Sequence, residues 1–86
     1  MCTYMTAKVE ADGSAKGPDG WFAVTDASVY FDHPVHAQLG HSLNIDLRNP
    51  GLGPAARVAA ELSAESARAL ALAILQILDA VPAGLA

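Results

Sequence analysis

The clearest pattern in the chain is HSLNIDLR at residues 41–48. His41, Leu43, Ile45 and Leu47 share one parity, and polar residues occupy the other. A period of two is typical of a strand with one apolar and one polar face. An asparagine and a proline follow directly and end the predicted strand.

The same alternation extends outward from this strand in both directions. It predicts three further strands, at residues 3–10, 21–32 and 56–62. Residues 12–20 are rich in glycine and polar side chains and predict a long turn between the first two strands. The apolar parity changes near Thr25 and Asp26, which predicts a bulge or a break in the second strand. Only residues 49–54 separate the last two strands, which predicts an antiparallel pair.

A helix is predicted after the fourth strand. Ser63 is a good N-cap, Glu65 suits the positive end of the helix dipole, and residues 64–81 contain neither proline nor glycine. Pro82 and Gly84 end it. We therefore expect an α+β fold, in which an antiparallel four-stranded sheet is packed by one C-terminal helix. This two-layer ββββα arrangement would form a single domain over residues 1–86.

The helix has more apolar surface than one small sheet can cover. Gln76 is the only polar side chain in residues 69–78. One stripe of the helix can pack on the sheet, and it consists of Leu70, Ile74, Ile77 and Val81. Three further leucines lie partly or wholly outside this stripe: Leu72, Leu75 and Leu78. Because an exposed apolar stripe usually marks an interface, we expect a homodimer or higher oligomer through the helix. Alternatively, the small alanines leave the outer side only mildly apolar.

Composition argues against several partners and compartments. Five Lys and Arg against nine Asp and Glu give a net charge of −4, without the basic patch that nucleic acid or an anionic membrane requires. The single cysteine excludes an internal disulfide. The longest apolar run, residues 69–75, is shorter than the roughly 20 residues of a membrane span, and the N-terminus lacks a secretory pattern. We therefore expect a cytoplasmic protein.

Three histidines, His33, His36 and His41, fall within nine residues. Neutral imidazole binds zinc, copper, nickel and iron, and a catalytic zinc site often has three protein ligands. A loop between antiparallel strands can fold His33 and His36 towards His41. Cys2 is a candidate fourth ligand, and zinc is the expected metal. The alternatives are ordinary loop histidines, metal-free acid–base chemistry, and a cysteine without a role.

Charged residues near the histidines are candidates for metal support or substrate binding. Asp32 or Asp46 could orient an imidazole through its second nitrogen. Arg48 and Arg57 could anchor a small anionic or carbonyl ligand on the polar sheet face. The alternative interpretation is a solvated face with cross-strand ion pairs.

Four segments resemble a group of small uncharacterised actinobacterial proteins. They are Met1-Cys2-Thr3-Tyr4, Gly20-Trp21-Phe22, residues 27–36 with the Phe-Asp-His-Pro-Val-His motif, and Leu43-Asn44-Ile45-Asp46. The resemblance covers nearly the whole chain and implies a domain that stands alone. It carries over no catalytic role, although its motif is centred on His33 and His36.

Three functions remain open from the sequence. The first is a small homo-oligomeric metal-binding protein. If its metal is catalytic, it would be a metalloenzyme that acts on a small molecule. The second is a non-catalytic dimeric interaction or accessory module, indicated by the apolar helix. The third is a metal-free small-molecule binder or enzyme that uses histidine and arginine on the polar sheet face.

Overall fold

The computed structural model describes residues 5–33 and 40–85. Its elements in chain order are β1 (Met5–Gly17), β2 (Gly20–Asp32), β3 (Ser42–Arg48), β4 (Arg57–Leu62) and α1 (Ala64–Ala80). The strands form one antiparallel sheet in the order β1-β2-β3-β4, and α1 contacts β3 and β4. The expected α+β fold, a four-stranded antiparallel sheet followed by one helix, is confirmed.

The first hairpin is longer than the sequence predicts. Residues 12–17 were expected in a polar turn, but they extend β1, and only Pro18 and Asp19 turn the chain. Pairing with β2 outweighs the low strand propensity of glycine and serine in this segment. The adjoining Gly20 has a φ of +110°, a conformation that glycine adopts without strain.

The predicted irregularity of the hairpin lies in the other strand. The register shifts between Glu10 and Gly13 of β1, so that Ala11 and Asp12 together lie opposite Thr25. The prediction of a bulge in β2 was therefore wrong, because β2 alternates without interruption and its partner carries the extra residue. Apolar parity alone cannot show which strand of a pair holds a bulge.

The helix begins as predicted. The Ser63 hydroxyl accepts a hydrogen bond from the backbone N–H of Ser66 at 3.1 Å, and Glu65 lies in the first turn. This cap satisfies one of the backbone donors that the first turn leaves unpaired. The helix ends at Ala80, one residue before the predicted end. Within the described residues, no helix is both long and apolar enough to cross a membrane.

The sheet curls until its two edges approach one another. β1 contacts β4 as well as its neighbour β2. Gly17, at the hairpin tip, lies so close to the fourth strand that an added Cβ would be 3.0 Å from the Ala55 carbonyl oxygen and 3.5 Å from that of Arg57. The hairpin tip therefore folds over one face of the sheet.

The covered face is the polar one. Ser28, Asn44 and Asp46 are buried, and Ser42 is completely inaccessible, with its hydroxyl donating to the Asn44 side chain at 2.6 Å. Strand alternation places Val24 on this face with Ser28, and Val24 is buried as well. The middle of the polar face is therefore enclosed, whereas the Arg48 and Arg57 side chains beside it remain 33% and 50% exposed. The long hairpin supplies a cover that the shorter predicted strands could not.

The opposite, apolar face remains open. It carries the odd-numbered side chains of β2 and β3, among them Val29, and α1 lies over this face. The described residues that are both apolar and buried are small: Ala15, Val24, Ala27 and Ala56. No residue of α1 is buried. The expected packing of the helix on the sheet is thus incomplete within one chain.

Candidate functional site

Two of the predicted metal ligands come together beyond the ends of β2 and β3. The rings of His33 and His41 stack with centroids 4.5 Å apart and an interplanar angle of 28°. His41 also stacks on Phe31, with centroids 5.7 Å apart. Antiparallel pairing of β2 with β3 explains this cluster, because Asp32 lies directly opposite Ser42 and the two histidines follow at the same end of the ladder.

A backbone carbonyl orients the His33 ring. Its Nδ1 lies 2.8 Å from the carbonyl oxygen of Gly40, so Nδ1 carries the proton and donates it. The neutral ring then has its lone pair on Nε2. The Asp32 carboxylate accepts a hydrogen bond from the His33 backbone N–H at 2.6 Å. Nδ1 donation to a carbonyl is a common way to orient a metal-binding imidazole.

The remaining predicted ligands, His36 and Cys2, lie outside the described residues. Within residues 5–33 and 40–85, no three His, Cys, Asp or Glu side chains form a group that could hold a metal ion. The described histidines therefore supply at most two imidazole ligands. A site with three or four ligands would need His36 or Cys2 as well.

Both predicted arginines pair with carboxylates on the polar face. Arg48 Nε lies 3.1 Å from Oδ1 of Asp26, the residue directly opposite it on β2. Arg57 Nη2 lies 3.0 Å from Oδ1 of Asp46, which is its diagonal neighbour on β3. The guanidinium groups of Arg48 and Arg57 belong to directly opposed residues, so these pairs also offset their mutual repulsion. This arrangement favours the cross-strand ion-pair interpretation over an anion anchor.

Tyr30 lies beside these ion pairs on the same face. Its burial raises the pKa of the phenol above its ordinary value of 10.0, and the negative charge of Asp46 raises the pKa further. The charge of Arg57 and a hydrogen bond to it act in the opposite direction. The phenol therefore stays neutral, as a hydrogen-bonding group, throughout the physiological range.

A cleft lies on the other side of the sheet. It has a volume of about 570 Å³ and separates the apolar sheet face from the first half of α1. We call it the apolar groove. It is lined by Val29, Phe31, Leu43 and Ile45 from the sheet and by Ala64, Ala67, Arg68, Leu70, Ala71 and Ile74 from the helix.

The groove and the histidine cluster share one residue. Phe31 lines the groove with one part of its ring and stacks on His41. Among the described residues that line the groove, Arg68 alone is charged. Protein interiors rarely leave a void of this size between packed elements, so the sheet and the first half of α1 are incompletely packed here.

Two features of these sites were not predicted from the sequence. The Gly40 carbonyl orients His33, but any residue type supplies a backbone carbonyl, so no side-chain pattern identifies it. The groove arises because α1 stands away from the sheet, whereas the sequence predicts direct packing by Leu70 and Ile74. The excess of apolar residues in the helix was the available signal, and it predicts an interface without locating a cleft.

Comparison with known proteins identifies a family for this chain but no activity. No curated protein and no solved structure matches the chain. A family profile covers residues 1–86, which include both the histidine cluster and the groove. The chain therefore belongs to a family of unknown function, DUF6295.

Proposed function

We propose that this protein is a non-catalytic, homodimeric interaction module. A second copy covers the apolar groove and the outer side of α1. The dimer presents its histidine cluster to a further partner or to a small-molecule ligand. Support comes from one observation, the amount of apolar surface that a single chain leaves exposed.

The total accessible surface of the chain is also larger than that of a compact monomer. One chain exposes 6375 Å², whereas a compact monomer of 8.9 kDa exposes about 4,800 Å². The surplus of about 1,600 Å² per chain corresponds to about 3,200 Å² in a dimer, which is within the range of obligate homodimers. The radius of gyration, 14.3 Å, likewise exceeds the roughly 12 Å expected for this length.

The position of the exposed residues supports the same proposal. Large apolar side chains are exposed along the whole of α1, from Leu70 to Leu78, and on the sheet at Val29. Of these residues, Val29, Leu70 and Ile74 line the groove. A second copy of the chain is always present and carries the same apolar surface. Such dimers commonly fold as their interface forms.

Sedimentation and thermal unfolding test the proposal. We expect the untagged protein to sediment as a dimer, with a Tm that rises over about a hundredfold range of concentration, because dissociation accompanies unfolding. A monomer that unfolds cooperatively at a Tm independent of concentration would contradict the dimer. Turnover of a small substrate by the purified protein alone would contradict the non-catalytic part.

A metal centre is the second candidate function. It is favoured by the hydrogen bond from His33 Nδ1 to the Gly40 carbonyl, which leaves Nε2 available beside the His41 ring. In this proposal His36 and Cys2 complete the ligand set and zinc is the expected metal. If one coordination position stayed open, the metal would lower the pKa of bound water and support a metalloenzyme.

Elemental analysis of untagged protein reconstituted with zinc tests this candidate. We expect about one zinc per chain, or half that value if two chains share the site. His33→Ala and His41→Ala should each lose the metal, whereas Asp26→Asn, a carboxylate change away from the histidines, should retain it. Equal zinc in all four proteins, or none in the wild type, would contradict the site.

Three further expectations from the sequence remain proposals. Origin in actinobacteria and the central place of the Phe-Asp-His-Pro-Val-His motif rest on the sequence resemblance. Cytoplasmic location rests on the single cysteine, which leaves the fold independent of an oxidising compartment. Metal-free binding through Arg48 and Arg57 is disfavoured by their carboxylate partners, and ligand binding that survives a strong chelator would support it.

A further inference from the structure

The outer side of α1 carries a second organised surface. Arg68, Leu72, Leu75 and Asp79 follow one another at spacings of four, three and four residues. These spacings place all four on one side of a helix. Leu72 and Leu75 are 53% and 56% exposed. We call this set the outer stripe.

The outer stripe differs from the surface that lines the groove. Arg68 belongs to both sets, because it also lines the groove, whereas Leu72, Leu75 and Asp79 lie outside the groove lining. Neither Arg68 nor Asp79 has an ion-pair partner among the residues that the structure describes. The stripe therefore ends in one unpaired positive charge and one unpaired negative charge, with two exposed leucines between them.

We propose that the outer stripe packs against the same stripe of a second copy, with the two helices antiparallel. This inference rests on the proposed self-association and specifies its geometry. The stripe is symmetric in spacing about the point between Ala73 and Ile74. A two-fold axis through that point sets Arg68 against the partner's Asp79 and Leu72 against the partner's Leu75.

Charge selects this orientation over a parallel one. Parallel helices in register would set Arg68 beside the partner's Arg68 and Asp79 beside the partner's Asp79, which is repulsive at both ends. The antiparallel pair instead forms two oppositely charged contacts in each dimer. The leucines supply the apolar contact between them, and the charges fix direction and register.

Charge exchange across the two-fold axis tests the arrangement. Arg68→Asp and Asp79→Arg each place two like-charge contacts in the homodimer, and we expect the dissociation constant to rise about tenfold for each. The double variant restores opposite charges and should return the dissociation constant to the wild-type value. An equimolar mixture of the two single variants should form heterodimers in preference to either homodimer, because both contacts are then complementary.

Ser66→Asp is the matched control, since helical periodicity places Ser66 on the side away from the stripe. It should leave the dissociation constant unchanged. If the wild type is dimeric and all charge variants behave like it, the antiparallel stripe is wrong while the dimer stands. If the wild type is monomeric, both proposals fail. Loss of association in the single variants without recovery in the double variant or in the mixture would also overturn the pairing.

Discussion

The two faces of the sheet differ in how far one chain completes them. On the polar face, the hairpin tip folds over the strands, Ser42 and Asn44 bond to one another, and Asp46 pairs with Arg57. On the apolar face, α1 stands off and leaves a groove of about 570 Å³. The usual order of a small soluble domain is therefore reversed within one chain, because polar groups are enclosed and apolar groups are exposed.

This difference indicates what each face needs from outside. Buried polar groups must find partners within the chain, and those on the polar face do so. Among the described residues, no buried side-chain nitrogen or oxygen lacks a hydrogen-bond partner. Apolar side chains require only exclusion of water, which a second copy can supply. One chain therefore completes its polar face, whereas in the proposed dimer a second copy would complete the apolar face.

The largest expected effect comes from a charge in the groove. Ile74→Asp should dissociate the dimer and destabilise the fold by about 3 kcal/mol or more, because association would bury an unpaired carboxylate. Ala73→Asp, at a neighbouring position that belongs neither to the groove lining nor to the outer stripe, should cost less than about 1 kcal/mol, the scale of helix propensity. Urea unfolding at fixed protein concentration measures both. Equal losses would remove the distinction between the two sides of the helix.

The two ion pairs of the polar face should differ in their contribution to stability. The Asp46 side chain is 12% exposed, whereas that of Asp26 is 30% exposed. Asp46→Ala should therefore cost about 1–3 kcal/mol, as expected for a hydrogen bond to a buried charge. Asp26→Ala should cost less than about 1 kcal/mol, because water screens the more exposed pair. Denaturant midpoints at constant m compare the loss of unfolding free energy in the two variants. A larger loss for Asp26→Ala than for Asp46→Ala would contradict enclosure of this face.

Closure of the hairpin tip can be tested at Gly17. A Cβ there would lie 3.0 Å from the Ala55 carbonyl oxygen and 3.1 Å from the Phe22 ring. Gly17→Ala should therefore cost about 1–2 kcal/mol, the scale of mild overpacking. At Gly40 an added Cβ meets nothing within 4 Å, so Gly40→Ala should be neutral or stabilising by about 0.5 kcal/mol. Calorimetric Tm values compare the two, and equal stability would show that the tip is not tightly closed.

The smallest effect should be seen at high pH. The raised pKa of Tyr30 means that the folded chain holds its phenolic proton more tightly than the unfolded chain does. This contribution is complete below the ordinary value of 10.0 and is lost as the pH rises through the folded pKa. Tyr30→Phe should abolish that part of the alkaline loss of stability. In a phenolate absorbance titration, Asp46→Asn should lower the pKa of Tyr30, and no change would contradict their coupling.

The sequence predicts the elements well because each depends on neighbouring residues. Alternation at residues 41–48 identifies β3, and Ser63 marks the start of α1. Antiparallel pairing also makes the approach of His33 to His41 predictable, and the structure brings these rings together. The choice of the enclosed face was not predictable in the same way. It depends on Gly17 meeting residues 55–57, a contact between distant parts of the chain with no periodic signature.

The register shift in β1 has a consequence for growth of the sheet. β1 is an edge strand, and such strands can recruit foreign strands through their free backbone groups. The bulge divides this edge into two short ladders, Met5–Glu10 and Gly13–Gly17, and Lys8 adds a charge to the first of them. An incoming strand cannot match both ladders without the same irregularity. Association through the apolar face can therefore stop at a dimer, whereas the bulge disfavours the addition of further strands at the β1 edge.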